Sequence, residues 1–356
     1  DAILVRSTNL HDITYNAHLK AIARAGAGVN NIDIDTCTKK GIAVFNTPGA
    51  NSNAVKELVF AGMLLASRDI YHGIEWIQTQ KENENITKDI EKQKKKYAGH
   101  ELTGKSLGVI GCGAIGIQVA NLALRFGMKV YGYDPYVSVR SAWSLSRMVK
   151  HIASIDELFE TCDYITIHVP YIPETKGMLN KEAFDQMKDG VVILNFARDL
   201  LVNDDDMKAA LESGKVRRYV TDFPTKEIVG VKGAIVIPHL GASTEESEDN
   251  CAQMAVAEIR DFLENGNITH SVNYPDCNVG TKADGDRITI LHRNVPNMIG
   301  QFTTLLAQEN QNIALMTNKS KKEYAYTVID VDGSVSDEVV SKLESITDVL
   351  GVRVIK

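Results

Sequence analysis

No apolar run in this 356-residue sequence approaches the roughly 18 consecutive residues needed to cross a bilayer. The first residues, Asp1-Ala2-Ile3-Leu4-Val5-Arg6, lack both the basic start and the apolar length of a signal peptide. No membrane partner is expected, and the location expected is cytoplasmic. Because the sequence opens abruptly on a strand-like run, further N-terminal sequence is expected ahead of it. A basic excess is also lacking. The formal net charge is −7 and the pI about 5.8, which speaks against a nucleic-acid surface and for small-molecule chemistry. Paired cysteines are missing too. The five present (Cys37, Cys112, Cys162, Cys251 and Cys277) are odd in number, scattered and without C-x-x-C spacing, so neither a disulfide framework nor a metal site is expected.

What is there is the composition of a folded chain, 44% hydrophobic and 24% charged. The length exceeds what one core ordinarily serves and points to two or three domains. Short apolar runs at Ile3 to Val5, Ala21 to Ala23 and Ile42 to Phe45, with a helical pattern from Ala54 to Ala66, read as small β-α units. Residues 74–98 turn highly charged, as a solvated helix or extension between domains does. From Ser106 to Pro238 strands alternate with helices: Leu107 to Ile110, Lys129 to Tyr133, Tyr164 to His168, Val191 to Asn195, Tyr219 to Asp222 and Ala234 to Ile237. That alternation predicts a doubly wound parallel α/β sheet. One long helix follows from Thr244 to Glu264, and residues 270–285, with Pro275, Gly280 and Gly285, read as a linker. Beyond it the pattern is β-α-β-β-α-β, the ferredoxin-like order.

Within the sheet pattern, Gly111-Cys112-Gly113-Ala114-Ile115-Gly116 follows a strand and opens a helix, which is the context a dinucleotide fingerprint requires. Gly111 permits the turn, Gly113 lets a pyrophosphate approach the backbone, and Gly116 lets helix and sheet pack closely. Asp134 ends the next strand, where a carboxylate accepts from the adenosine ribose and repels a 2′-phosphate, so NAD is expected over NADP.

Three polar groups follow later strands: Arg198, Glu227 and His239. With the fingerprint, the segments Asn195-Phe196-Ala197-Arg198, Asp222 to Glu227 and Pro238-His239-Leu240-Gly241-Ala242-Ser243-Thr244 resemble the D-isomer-specific 2-hydroxyacid dehydrogenases. Val5-Arg6-Ser7, Ala23 to Asp33 and Asn46 to Ser52 are similar to the substrate loops of that family's phosphoglycerate dehydrogenase branch, and the C-terminal segment resembles its ACT regulatory domain. The chain departs from the family at Asp199 and Leu200, where Gly-Gly is usual, at Phe223-Pro224 in place of Val-Phe, and at Ile228, where proline is usual.

The resemblance implies a Rossmann-type domain over 98–240, a discontinuous flavodoxin-like substrate domain over 1–73 and 241–270, and an ACT domain over 284–356. It implies NAD-dependent oxidation of 3-phosphoglycerate, the first step of L-serine biosynthesis. Reduction of hydroxypyruvate, glyoxylate or another 2-keto acid is the alternative, and an NAD-sensing corepressor a more distant one. His239 would be the general base, with Glu227 orienting its imidazole, and Arg198 would fork onto the substrate carboxylate. Asp222 would hold the nicotinamide carboxamide. The cofactor would also meet Ala27, Ala114, Ile115, Val169, Phe196, Ala197, Leu240, Gly241 and Ala242. Arg6, Ser7, Arg24, Gly26 and Gly28 would take the substrate, with the two arginines on its phosphate. His292, Asn294 and Asn312 would bind L-serine as effector, in a homo-oligomer, dimer or tetramer.

Overall fold

The computed structural model describes residues 1–356, the side chain of Arg140 excepted. The elements run β1 (Ala2–Val5), β2 (Ala21–Arg24), α1 (Ile34–Lys39), β3 (Ala43–Asn46), α2 (Ser52–Ser67), α3 (Ile70–Gln78) and α4 (Ile86–Gln93). They continue with β4 (Ser106–Ile110), α5 (Ala114–Arg125), β5 (Lys129–Tyr133), α6 (Val139–Ser144), β6 (Lys150–His151), α7 (Ile155–Thr161) and β7 (Tyr164–Ile167). Next come α8 (Lys181–Gln186), β8 (Val191–Asn195), α9 (Asp204–Ser213), β9 (Val216–Thr221), β10 (Ala234–Val236) and α10 (Glu245–Asn265). The last are β11 (Arg287–Arg293), α11 (Met298–Gln308), β12 (Ile313–Lys321), β13 (Tyr324–Val331), α12 (Asp337–Glu344) and β14 (Val349–Ile355). Among the described residues no helix is long and apolar enough to cross a membrane.

Two compact units result, 51–247 and 1–50 with 248–356. In the unit 51–247 seven parallel strands lie in the order β10-β9-β8-β7-β4-β5-β6. The order reverses between β4 and β7, which creates the crevice where open α/β sheets take ligands, beyond the strand C-termini. The central strands β4, β7 and β8 are buried along their whole length and carry continuous apolar runs, as a sheet covered on both faces demands. One face packs on α7, α8 and α9, the other on α5 and α2. The expected substrate domain included α2; instead its Val55, Val59, Phe60 and Met63 join the core under β4 and β8, because Gly62 lets it approach Phe196 and Val220. The charged stretch expected as one helix or extension is broken into α3, α4 and a short 3₁₀ turn at Lys94–Tyr97.

In the other unit β1, β2 and β3 form a three-stranded parallel sheet in sequential order. The C-terminal strands form an antiparallel sheet in the order β12-β13-β11-β14, the ferredoxin-like arrangement. Its α11 and α12 cover one face through Ile288, Ile290, Ile329 and Val331. The opposite face is also buried: Leu291, Tyr326 and Val328 share a core with Ala21, Ala23 and Phe45 of the small sheet and Phe262 of α10. That is why seven of the eight residues of β13 are buried and its sequence, YAYTVIDV, shows no clean alternation. The C-terminal sheet therefore shares one core with the small parallel sheet and α10.

The expected linker is the weld. The side chain of Asn273 is buried and hydrogen-bonds Val44 N, Ile42 O and Thr38 Oγ1; the Tyr274 hydroxyl donates to Thr38 O at 2.7 Å. Polar turn residues read as exposed because their composition cannot show that their hydrogen bonds are spent on a neighbouring strand edge.

Candidate active site

In the unit 51–247 the first feature is the glycine turn after β4. Gly111 has φ 92, and a Cβ there would lie 2.8 Å from the His168 carbonyl, so only glycine fits. At Gly113 a Cβ would meet nothing within 4 Å, so the space over the start of α5 is open. The helices α7, α8, α9 and α12 close their own N-termini with Ser154, Asn180, Asn203 and Ser336. α5, like α2, α3, α4 and α11, has no side-chain cap: Gly113 stands at its N-cap with no side chain to close it, and Ala114 and Ile115 lie at the positive end of the dipole. Asp134 accepts from Cys112 N at 2.8 Å and Tyr136 N at 2.9 Å, so it also anchors the turn. Val169 packs beside Gly111.

The second feature is a cluster at the ends of β8, β9 and β10. Asn195, fully buried, shapes the turn into Arg198: its Oδ1 accepts from Ala197 N and its Nδ2 donates to Arg198 O. Arg198 is exposed, and its guanidinium lies 5.9 Å from the centroid of the Phe223 ring. The His239 ring, also exposed, packs on that same ring with centroids 4.6 Å apart. The backbone of His239 is left-handed (φ 27) and its N–H donates to Asp222 O at 2.9 Å. Asp222 is buried; its Oδ2 accepts from Gly241 N at 2.9 Å, while its Oδ1 has no partner among the described residues. Burial raises its pKa, against the pull of the Gly241 N–H, His239 and Arg198.

Some expected members lie elsewhere. Glu227 makes no hydrogen bond to His239 among the described residues; it is exposed and lines a groove of about 880 Å³ with Lys208, Arg217 and Arg218. The reason is topological. β10 lies parallel to β9, so the chain after Thr221 must run back to the N-terminal end of the strands before Ala234, and Glu227 falls midway. The Phe196 side chain is buried in the core, Ala242 is half-buried and Leu240 exposed. Sequence reasoning missed Phe223, Asn195 and His168. The His168 imidazole is buried, with Nε2 on Thr166 Oγ1 at 2.9 Å and Nδ1 without a partner, and burial drives its pKa down to about 3. Its place beside the fingerprint strand was the available signal.

In the unit 1–50 with 248–356, the expected substrate residues do gather. Arg24 Nε donates to Arg6 O at 3.0 Å, Gly26 N donates to Thr47 Oγ1 at 2.7 Å, and Ala27 O accepts from Asn46 Nδ2 at 2.6 Å. Ser7 is exposed and Gly28 half-buried beside them. The Arg6 guanidinium pairs with Glu248 on α10 at 2.9 Å. The expected effector residues are dispersed. His292 is buried, its ring nitrogens on Arg293 O and Thr327 Oγ1, with burial lowering its pKa. Asn294 bonds Lys322 O at one end of the sheet, and Asn312 bonds Asp332 at the other, because β11 and β12 both run antiparallel to β13.

The family model described as "D-isomer specific 2-hydroxyacid dehydrogenase, NAD binding domain" matches residues 60–241, all within the seven-stranded unit. The chain belongs to this family. It is similar to the D-3-phosphoglycerate dehydrogenase of Haemophilus influenzae, 29% identical over 92% of this chain and 79% of that protein. It is 37% identical to the D-3-phosphoglycerate dehydrogenase of Methanocaldococcus jannaschii over 78% of this chain and 52% of that protein, so it spans about half of that relative's length. Among solved structures it resembles the NAD+-bound 3-phosphoglycerate dehydrogenase of Entamoeba histolytica: 30% identity, TM-score 0.59, 77% of this chain and 82% of that one. The residues of this 2-hydroxyacid dehydrogenase domain fit NAD. The open cradle over Gly113 suits a pyrophosphate, and the unpartnered Asp222 Oδ1 suits an amide N–H donor such as the nicotinamide carboxamide.

Proposed function

We propose that this chain oxidises 3-phosphoglycerate at its C2 hydroxyl with NAD, opening L-serine biosynthesis. The observation that carries the reading is the pairing of Arg198 and His239 around one ring, beside the buried Asp222 with its unmet oxygen. His239 takes the hydroxyl proton, a task suited to imidazole because its ordinary pKa lies near neutrality. Arg198 offers its fork to the substrate carboxylate and steadies charge growing on the C2 oxygen. Bound NAD supplies the hydride acceptor. Arg6 and Arg24 take the phosphate, with Glu248 giving up Arg6 as it binds. The names of the two curated relatives and of the NAD+-bound structure support the substrate class.

Steady-state NADH oxidation with phosphohydroxypyruvate, hydroxypyruvate and 2-ketoglutarate tests this. Phosphohydroxypyruvate should give the highest kcat/KM, and Arg6→Ala or Arg24→Ala should remove that advantage. Equal rates on hydroxypyruvate would overturn the phosphorylated substrate. His239→Ala should lower kcat about 10²–10⁴-fold with NAD affinity kept. The proposal extends to a homo-oligomer and to L-serine as effector. An effector held by both Asn294 and Asn312 needs two copies of the chain, since one copy holds them at opposite sheet ends. Calorimetric titration with L-serine tests it, and a null titration refutes it.

A further inference from the structure

We infer that Phe223 is the positioning residue of this site, its ring fixing His239 and Arg198 at once. The inference rests on the function proposed above. Three observations carry it. The His239 ring has no hydrogen-bond partner among the described residues, so the contact with Phe223, at 4.6 Å between centroids, is what restrains its rotation. The Arg198 guanidinium lies over the same ring at 5.9 Å, and one of its nitrogens is tied to Ala197 O. Phe223 is itself held: its N–H donates to the buried Thr221 Oγ1 at 3.0 Å, and Pro224 after it confines its backbone to extended conformations.

The chemistry favours an aromatic ring here. A phenyl face holds the cation and packs the imidazole while consuming no hydrogen-bond donor of either. Both ring nitrogens of His239 and the remaining guanidinium donors stay free for substrate. Orientation of reacting groups carries large rate factors, so loosening both partners together should be costly.

The test uses Phe223→Leu in the full chain. Expected are a roughly tenfold fall in kcat together with a higher KM for the 2-hydroxyacid, while NAD affinity and the melting temperature hold. Phe223→Tyr, which keeps the ring, should restore both constants. In an Arg198→Ala background Phe223→Leu should change kcat alone. A readout independent of turnover is the NMR signal of the His239 ring protons, assigned by their loss in His239→Ala. It should shift when the phenyl ring current is removed. Wild-type kcat and KM in Phe223→Leu, or an unmoved His239 signal, would overturn the inference. Should Phe223→Leu prove unstable, Phe223→Met gives the same two readouts. An active His239→Ala enzyme would instead defeat the proposed function itself, which separates the two failures.

Discussion

The two units put their buried polar groups to different uses. In 51–247 several are left incomplete: Asp222 Oδ1 and His168 Nδ1 are buried without partners, and the N-terminus of α5 is uncapped. In 1–50 with 248–356 the largest buried ion is almost fully used. Arg287 binds Asp330 through two nitrogens at 2.6 and 2.8 Å and also donates to Asn265 O and Gly280 O. A buried polar group left open carries a penalty that only a ligand or water relieves, whereas a closed network specifies a frame. Unpartnered buried atoms occur in the scaffold unit as well, at Asn31 Oδ1, Glu258 Oε2 and Arg353 Nη1, so what sets the cofactor's unit apart is the place of its open groups: Asp222 and His168 both follow the C-terminal ends of parallel strands.

The largest expected effect comes from deleting residues 284–356. Tyr326, Val328 and Leu291 would be withdrawn from the core they share with Phe45 and Phe262. We expect loss of the scaffold unit's thermal transition while 51–247 still binds NAD, read by calorimetry and NAD titration. Survival of that transition would break the comparison by making the C-terminal sheet a detachable module. Next in size, Arg287→Ala leaves Asp330 half of a buried pair and should lower stability by about 3–5 kcal/mol in urea unfolding. The double change Arg287→Met with Asp330→Leu should recover most of it. Smaller again, Asp134→Ala should weaken NAD roughly tenfold and reduce discrimination against NADP, since the ribose acceptor and the anchor of Cys112 N go together. An unchanged NAD/NADP ratio would show that Asp134 only braces the turn.

These contrasts were partly legible in the sequence. The parallel sheet, the fingerprint and the ferredoxin-like order come from periodicity and from glycines at turns, which are local signals. Arg198, Asp222 and His239 could be placed at strand ends for the same reason. Neither the weld through Asn273 and Tyr274 nor the displacement of Glu227 could be read, because each depends on which strand edges meet. Phe223 was noticed only as a departure from the family pattern. A ring's function as a platform exists only once Arg198 and His239 fold around it.

The smallest effects sharpen the comparison through pH. His168, in the cofactor's unit, has its pKa lowered by burial from 6.5 to about 3. Below pH 6.5 the unfolded chain therefore binds the proton that the folded one refuses. The stability His168 contributes is complete above pH 6.5 and is lost as pH falls toward 3. Glu258, in the scaffold unit, is buried on α10, with one oxygen on His270 Nδ1 at 2.7 Å and the other unpartnered. Burial raises its pKa to about 7, although the His270 hydrogen bond opposes the shift. Its contribution has the reverse sign, complete below pH 4.5 and lost as pH rises through 7. Between pH 4.5 and 6.5 the units should thus move oppositely, each with a slope of at most about 1.4 kcal/mol per pH unit. Both tryptophans, Trp76 and Trp143, lie in the cofactor's unit, so their fluorescence reports its unfolding separately. Amide exchange along α10 reports the other. His168→Gln should flatten the first profile and Glu258→Gln the second, and a fluorescence midpoint indifferent to pH across that window would show that His168 is not held neutral.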